Sequence, residues 1–150
     1  GMRKGEIVKT ERSWIDGSVI HLPAEAAKTA VGRTVAMGVE ARRLLGLILS
    51  LGFSPCVWGI NTLTLPGEFI KLKRRAGIRA ITDSAGRELQ ADLHFHDARA
   101  YFCTWAASPA EDGAPRLSPM ELARQLGHSS TEMTMRYYRP DLRTLADRLK

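Results

Sequence analysis

Cysteine is scarce in this sequence. Cys56 and Cys103 are the only two cysteines among 150 residues, and they stand 47 positions apart. They form no CxxC pair and no spacing typical of a disulfide framework, which excludes a disulfide-stabilised scaffold and a cysteine zinc ribbon. We therefore expect a protein of the reducing cytoplasm.

Long hydrophobic runs are also missing. The best candidate for a membrane span, residues 44–53, is far shorter than the ~20 apolar residues that a span requires, and it stands too far along the chain for a secretory signal. Hydrophobic residues nevertheless make up 44% of the chain. Because a chain of this length can bury roughly 70% of its unfolded surface, we expect one domain with its own core and no membrane partner.

Acidic residues are outnumbered by basic ones. The sequence has 22 Lys and Arg against 16 Asp and Glu, a net charge of +6, and its isoelectric point is near 9.7. Such a balance favours an anionic partner, with nucleic acid as the first choice. Charge alone does not show whether the protein binds an anionic partner or whether its positive charge serves only solubility.

The spacing of apolar residues predicts a mainly helical α+β domain with a small three-stranded antiparallel sheet. Strands are predicted at 14–15, 18–22 and 33–37, the first two joined by an Asp16-Gly17 turn and the last two by a loop at 23–32. Helices are predicted at 2–10, 39–51, 67–76, 96–107, 118–127, 130–138 and 141–150, and a turn or loop at 81–93. Ser118, Pro119 and Glu121 are typical of a helix start, and Gly127 of its end.

Two of the predicted helices carry an apolar face that we expect to be buried. In the helix at 39–51 this face consists of Val39, Leu44, Leu45, Ile48 and Leu51. In the helix at 96–107 it consists of Phe95, Ala98, Phe102 and Trp105.

Six polar residues that such a core does not need follow one another in a characteristic order. They are Arg3 in GMRKGE, Lys28 in the predicted hairpin loop, His96 and Arg99 in HDAR, His128 in LGH, and Tyr137 nine residues after that histidine. In this order they resemble the tyrosine recombinase or phage integrase family, whose catalytic domain carries an Arg, a Lys, a His-x-x-Arg, a second His or Trp, and a Tyr. The resemblance spans residues 3–138.

The resemblance implies a fold of the DNA breaking-rejoining enzyme type and a site-specific recombinase or integrase activity. The tyrosine would attack a DNA phosphodiester, form a 3′-phosphotyrosine link and release a 5′-hydroxyl that later exchanges partners. The reaction requires no cofactor and no metal. The implied partners are double-stranded DNA and other recombinase protomers bound to it, in the cytoplasm and associated with the nucleoid.

These residue types suit phosphoryl transfer, because its catalysis depends on positioning and on fixed positive charge. The guanidinium forks of Arg3 and Arg99 can grip phosphate oxygens and stay charged at any working pH. His96 and Arg99, three apart at the start of a helix, would project from one face beside the positive helix terminus. We assign to Lys28 the return of a proton to the departing 5′ oxygen, and to His128 a hydrogen bond to the phosphate.

Tyr137 and Tyr138 compete for the role of nucleophile. The nine-residue spacing of the family selects Tyr137, and we expect Tyr138 to be a half-buried aromatic residue. A tyrosine has a reference pKa of about 10, so it must pass its proton to a neighbour during attack. His96 is a candidate acceptor of that proton.

Other charged residues carry two interpretations each. Glu6, three residues after Arg3, either orients that arginine, as the resemblance favours, or forms an ordinary helix ion pair. The helix at 67–76 has a strongly basic face that is either solvated or contacts DNA. Its members are Lys71, Lys73, Arg74 and Arg75.

A metal site is not predicted. The candidate ligands His94, His96, Cys103 and His128 have none of the spacings of zinc-finger ligands. His96 also has a place in the catalytic set already.

The sequence departs from the family at its beginning. Arg3 is the third residue, whereas family members carry this arginine well inside the catalytic domain, behind a separate DNA-clamping domain. We expect residues 1–150 to be a catalytic domain without its first helices and without that clamp. The alternatives are a truncated, catalytically inactive DNA-binding remnant of a prophage integrase and an interaction module that does not bind DNA. The predicted helix at 141–150 either closes its own domain or docks on a neighbouring protomer.

Overall fold

Six α-helices and five short strands occur in the part of the chain that the computed structural model describes, residues 1–53, 55–79, 81–85, 88–90, 93–110 and 114–138. The helices are α1 (Lys4–Val8), α2 (Val39–Leu49), α3 (Leu65–Arg75), α4 (Asp97–Ala107), α5 (Pro119–Leu126) and α6 (Thr131–Met135). The strands are β1 (Ile15–Asp16), β2 (Val19–Leu22), β3 (Arg33–Ala36), β4 (Ile81–Thr82) and β5 (Glu88–Gln90). The predicted helix at 141–150 lies outside the described residues.

Strands β1, β2 and β3 form an antiparallel sheet in that order, with Ile20 of β2 opposite Ile15 on one side and Val35 on the other. Gly17 and Ser18 connect β1 to β2, one position later than the sequence predicts. Gly17 has a φ of 53°, a conformation that glycine adopts at little cost. The predicted α+β fold with a three-stranded antiparallel sheet is confirmed.

The prediction of a turn or loop at 81–93 is correct only for the turn at 83–85, because β4 and β5 pair on either side of it as antiparallel strands. The Asp83 carboxylate accepts a hydrogen bond from the Ala85 amide at 2.9 Å, which reverses the chain locally. Strands of two and three residues are too short for an alternating pattern to reveal them. Trp14 also departs from its predicted strand, since it ends a 3₁₀ turn at Arg12–Trp14.

Helix α4 buries only part of the predicted face, since Phe102 packs against the buried core but Ala98 is exposed. Arg99, Cys103 and Ala106 are buried, whereas Trp105 is 45% exposed beneath the guanidinium of Arg116. The spacing of apolar residues predicted burial of the Trp105 face. Arg99 is buried instead, and a buried arginine requires hydrogen-bond acceptors that only another part of the fold can supply. The C-terminal end of α5 supplies one of them, as described below.

Helix α2 has the predicted apolar face, but most of that face is not core. Leu45 is buried, while Val39, Leu44 and Leu51 are exposed. An apolar stripe identifies which side of a helix avoids water, but it does not say whether another element covers that side.

Helix α5 begins and ends where the sequence predicts. The Ser118 hydroxyl accepts a hydrogen bond from the Glu121 amide, and the Glu121 carboxylate accepts one from the Ser118 amide at 2.7 Å. Pro119 occupies the first turn, and Gly127 ends the helix with a φ of 65°. Such caps are local, so the sequence alone specifies this helix.

Two hydrophobic clusters hold the segments that carry the predicted catalytic residues. Cys103, Ala106, Leu122 and Leu126 join α4 to α5, and Tyr137 packs against them. Leu22, Ala26 and Ala27 form the second cluster, with Met2 and Trp14 packed against it. Met2 precedes Arg3 and Ala27 precedes Lys28, so the second cluster anchors the backbone next to these two site residues. The first cluster anchors the site at Tyr137. No helix within the described ranges has the length and hydropathy needed to cross a bilayer.

Candidate active site

A cavity of about 380 Å³ collects the catalytic residues that the sequence predicts. Its lining contains the whole set, namely Arg3, Lys28, His96, Arg99, His128 and Tyr137. Thr29, Gly127, Ser129, Met133 and Arg136 complete the lining. Among these described residues none is acidic, so the cavity presents positive charge to whatever enters it, which suits an anionic ligand.

Arg99 reaches the cavity from a buried position on α4. Its residue exposure is 7%, and its guanidinium donates hydrogen bonds to the carbonyl oxygen of Leu126 at 2.9 Å and to that of Gly1. Burial lowers the pKa of Arg99, and the positive charge of Arg3 lowers it further. An arginine nevertheless stays protonated in proteins, so Arg99 brings a permanent charge to the site.

Glu6 holds Arg3 in place from beneath the cavity. The Arg3 amide donates to Glu6 Oε2 at 2.8 Å, and Arg3 Nη1 donates to Glu6 Oε1 at 3.1 Å. Glu6 is only 2% exposed. Burial by itself would raise the pKa of Glu6, but hydrogen bonds from Arg33 and Arg3 outweigh it and lower the pKa to about 2. Glu6 is thus a buried carboxylate that contacts Arg3 at two points, and not a solvated ion pair.

His128 lies two residues beyond the end of α5, next to a buried threonine. The Thr134 hydroxyl oxygen is 2.9 Å from His128 Nδ1. Burial lowers the pKa of His128, and the charges of Arg99, Arg3 and Arg33 lower it further. The imidazole is therefore neutral at pH 7 and has one ring nitrogen to donate.

Tyr137 follows α6 instead of lying inside it, because the helix predicted at 130–138 ends at Met135. The Tyr137 amide donates to the carbonyl oxygen of Thr134 at 3.0 Å, which closes a turn after the helix. Among the described residues that line the cavity, Tyr137 is the only tyrosine, and Tyr138 is not part of the lining.

Lys28 and His96 enter the cavity from two anchored backbone segments. The Ala27 amide, one residue before Lys28, donates to the Pro23 carbonyl at 3.2 Å, so the loop at 23–32 begins with a hydrogen-bonded turn. His96 immediately precedes α4, and its carbonyl accepts from the Arg99 amide at 3.0 Å. Both side chains are exposed at the cavity, where a ligand can reach them.

A known family accounts for this set of residues. The model of the phage integrase family matches residues 1–143 of the chain. The chain belongs to the phage integrase family. The membership that the ordered motifs indicate is thereby confirmed, while the roles of the individual residues stay predictions.

A solved structure has the same fold as this chain. The chain is similar to the crystal structure of XerA recombinase, with a TM-score of 0.65 and 21% sequence identity. The match covers 97% of this chain and 50% of that one, so this chain spans half the length of XerA recombinase. No curated protein matches the sequence.

The structure adds residues that sequence reasoning missed. Arg33 contacts Glu6, Thr134 contacts His128, and Arg136 lines the cavity. Arg33 carried a usable signal, because in β3 it shares a face with the buried Val35, and an arginine on the inner face of a strand requires a partner. Thr134 carried no such signal in the sequence.

The basic residues predicted to contact DNA divide into two groups. Lys71, Arg74 and Arg75 are exposed on α3, and Lys71 donates to Glu68 at 2.7 Å. Lys73 is only 8% exposed and lies over the Phe69 ring, so its placement on the outer basic face is wrong. The cause is helical geometry, since position 73 faces the inner side of α3, where an aliphatic stem can be buried.

The four candidate metal ligands do not form one group in the described residues, although His96 and His128 line the same cavity. Within the described residues, no group of three or more His, Cys, Asp and Glu side chains is placed to hold a metal ion. The His94 amide instead donates a hydrogen bond to the Asp97 carboxylate at 2.7 Å, as part of the turn before α4.

Replacing Gly127 should destabilise the domain. A Cβ atom at position 127 would lie 2.9 Å from the Arg33 side chain, and the φ of 65° disfavours any residue with a side chain. We expect Gly127→Ala to lower the free energy of unfolding by about 1 to 2 kcal/mol in urea denaturation. The control is Gly46→Ala in α2, where a Cβ would meet nothing within 4 Å. It should raise that free energy by about 0.5 to 1 kcal/mol. Equal effects of the two changes would contradict the prediction.

Proposed function

We propose that this phage integrase domain breaks and rejoins double-stranded DNA through a 3′-phosphotyrosine intermediate on Tyr137. The observation that carries the proposal is one cavity whose described lining holds three arginines, a lysine, two histidines and a tyrosine, and no acidic residue. A phosphodiester is the ligand that this set fits best, because it offers anionic oxygens to the cations and an electrophilic phosphorus to the phenol.

The two arginines would stabilise the charge that develops in the transition state. As the tyrosine oxygen approaches phosphorus, negative charge grows on the non-bridging oxygens. Arg3 and Arg99 are each held by hydrogen bonds to the protein, so they need little rearrangement when the substrate arrives. Their fixed positions are the main catalytic resource in this proposal.

The covalent step exchanges one phosphodiester for another. The Tyr137 oxygen forms a bond to phosphorus while the bond from phosphorus to the 5′ oxygen breaks. The phenolic proton passes to His96, and Lys28 gives a proton to the departing 5′ oxygen. A free 5′-hydroxyl results, and attack by such a hydroxyl on the phosphotyrosine reverses the step. Because one ester replaces another, rejoining needs no external energy source.

His128 would donate to the phosphate from its second ring nitrogen. When the Thr134 hydroxyl donates to Nδ1, a neutral imidazole carries its proton on Nε2. The depressed pKa keeps the ring neutral at pH 7 and so preserves this arrangement. His128 would then add a hydrogen bond to the phosphate beside the two arginines.

The substrate and the family indicate the setting of the reaction. We propose that the domain acts on DNA in the cytoplasm, associated with the nucleoid, and that strand exchange requires further protomers on the same DNA. This chain matches half of XerA recombinase, and we propose that full recombination also uses DNA contacts made outside these 150 residues.

The test uses a pool of nicked duplexes with randomised sequence around the nick, so no recognition sequence need be known. Cleavage next to the nick lets a short 5′-hydroxyl fragment diffuse away, which traps the protein on DNA. We expect adducts that survive denaturing electrophoresis and that can be sequenced. Salt-sensitive duplex binding without any adduct would instead identify a DNA-binding module without activity, and the absence of both would reject a role on DNA.

The exposed arginines of α3 should contribute to duplex binding. We expect the paired change Arg74→Ala and Arg75→Ala to weaken binding and to reduce the slope of log affinity against log salt by up to about 1.8, or ~0.9 for each lost phosphate contact. Fluorescence anisotropy across a salt series measures this slope. The charge-matched control removes Arg42 and Arg43 of α2, which are equally exposed. A face that is only solvated would give the same slope as the control.

A further inference from the structure

Arg33 makes an unusually complete set of contacts for a residue outside the cavity. Its side chain is 8% exposed, and its fork grips both oxygens of Glu6, from Nη1 to Oε1 at 3.0 Å and from Nη2 to Oε2 at 2.7 Å. Its Nε donates to the carbonyl of Gln125 at 3.4 Å. One guanidinium therefore joins α1 to the last turn of α5.

Three guanidinium groups meet three successive carbonyls at the end of α5. Arg33 donates to the carbonyl of Gln125, Arg99 to that of Leu126, and Arg3 to that of Gly127 at 3.4 Å. The C-terminal carbonyls of a helix lack partners inside the helix and carry partial negative charge, so cations are favoured there. The same turn thus holds both proposed phosphate-binding arginines, and His128 follows it directly.

Strand β3 is fixed against this turn by a second residue pair. The Gln125 side chain donates to the Ala36 carbonyl at 2.8 Å and accepts from the Ala36 amide at 3.0 Å. Arg33 and Ala36 therefore attach β3 to α5 at both ends of the strand. The loop that carries Lys28 enters this strand, so the anchoring reaches a third part of the cavity.

We propose that Arg33 is a positioning residue for the phosphate-binding arginines, acting on Arg3 through the Glu6 carboxylate and on the end of α5 through the Gln125 carbonyl. Because both Glu6 oxygens are pinned by Arg33, the carboxylate presents Oε1 to Arg3 in one orientation. Without Arg33, the carboxylate keeps only its hydrogen bonds to Arg3, so its orientation toward the Arg3 fork is less restrained. The catalytic consequence rests on the function proposed above, whereas the effect on Arg3 does not.

Side-chain NMR tests the positioning directly and without activity. In protein labelled at arginine nitrogens, with Arg3→Lys used for assignment, we expect the two Nη groups of Arg3 to give separate signals, because hydrogen bonds restrain the fork. In Arg33→Gln these signals should merge. Arg33→Lys is the second variant, for use if Arg33→Gln does not fold. It keeps the buried charge but cannot hold both Glu6 oxygens and the Gln125 carbonyl together, so its Arg3 signals should also merge. Arg43→Gln is the matched control, since Arg43 grips Glu40 in the same two-point manner on the surface.

Adduct formation on a duplex recovered from the randomised pool gives the second readout. We expect Arg33→Gln to slow adduct formation by about 10- to 100-fold, because a small misplacement of a catalytic group has an effect of this size. The affinity for duplex DNA should be unchanged. In an Arg3→Ala background the same change should cost less than in the wild type, because the part of its effect that passes through Arg3 is already lost. Unaltered Arg3 signals in a folded Arg33 variant, or losses that multiply with Arg3→Ala, would overturn the inference. Merged Arg3 signals together with a wild-type protein that forms no adduct would reject the proposed function and leave the positioning role standing.

Discussion

Tyr137→Phe is expected to abolish the covalent adduct while duplex DNA still binds. Removing the phenolic oxygen removes the only atom that can form the bond to phosphorus in the proposed step. The ring itself should remain packed against the α4 and α5 cluster, so we expect the fold to be kept. Denaturing electrophoresis after incubation with the nicked duplex measures the adduct, and anisotropy measures binding.

Tyr138→Phe is the matched control for this change. Tyr138 is the adjacent residue and also partly buried, but it does not line the cavity. Its adduct rate should stay within about two-fold of the wild-type rate, as for a substitution away from the site. An adduct formed by Tyr137→Phe and lost in Tyr138→Phe would transfer the nucleophile to the neighbouring residue.

Glu6→Gln is expected to destabilise the domain strongly. Glu6 is buried between Arg3 and Arg33, and its loss leaves two guanidinium groups with an amide in place of their counter-charge. Breaking a buried ion pair on one side typically lowers the free energy of unfolding by about 3 to 5 kcal/mol. Urea denaturation at pH 7 measures this loss. Glu40→Gln, which removes the exposed partner of Arg43, should leave the urea midpoint unchanged.

The same carboxylate makes stability depend on acid. The pKa of Glu6 is lowered from 4.5 to about 2 in the folded state, so its contribution is complete above pH 4.5 and is lost as the pH falls towards 2. The shift corresponds to about 3 kcal/mol across that window. Glu6→Gln should remove this part of the pH dependence. An acid profile identical to that of the wild type would show that Glu6 is not held as a carboxylate by its two arginines.

Those parts of the fold that depend on local chemistry could be predicted from sequence. The capping residues around α5 act within one turn, and glycine at position 127 matches a backbone that other residues avoid. Alternation and turn residues indicated the three-stranded sheet. The β4–β5 hairpin was missed because its strands are too short to show a pattern.

Long-range contacts explain what could not be predicted. Arg99 is buried because it finds the Leu126 carbonyl 27 residues away, and this contact turns α4 so that Trp105 is left half exposed. Arg33 was overlooked because its partner Glu6 stands 27 residues earlier. The catalytic set itself was found through its family order, which supplied the long-range information that a single sequence lacks.

The central claim is that Arg3, Arg99, His128 and Tyr137 converge on one backbone phosphate. Orthovanadate tests it most directly, because vanadate takes the five-coordinate geometry of the transferring phosphoryl group between a nucleophile and a 5′-hydroxyl. In a crystal structure of the domain with cleaved duplex and vanadate, the Tyr137 oxygen should occupy one apical position, with both guanidinium groups and the imidazole bonded to equatorial oxygens. A vanadate bound elsewhere, or joined to Tyr138 with the two arginines turned away, would contradict the account.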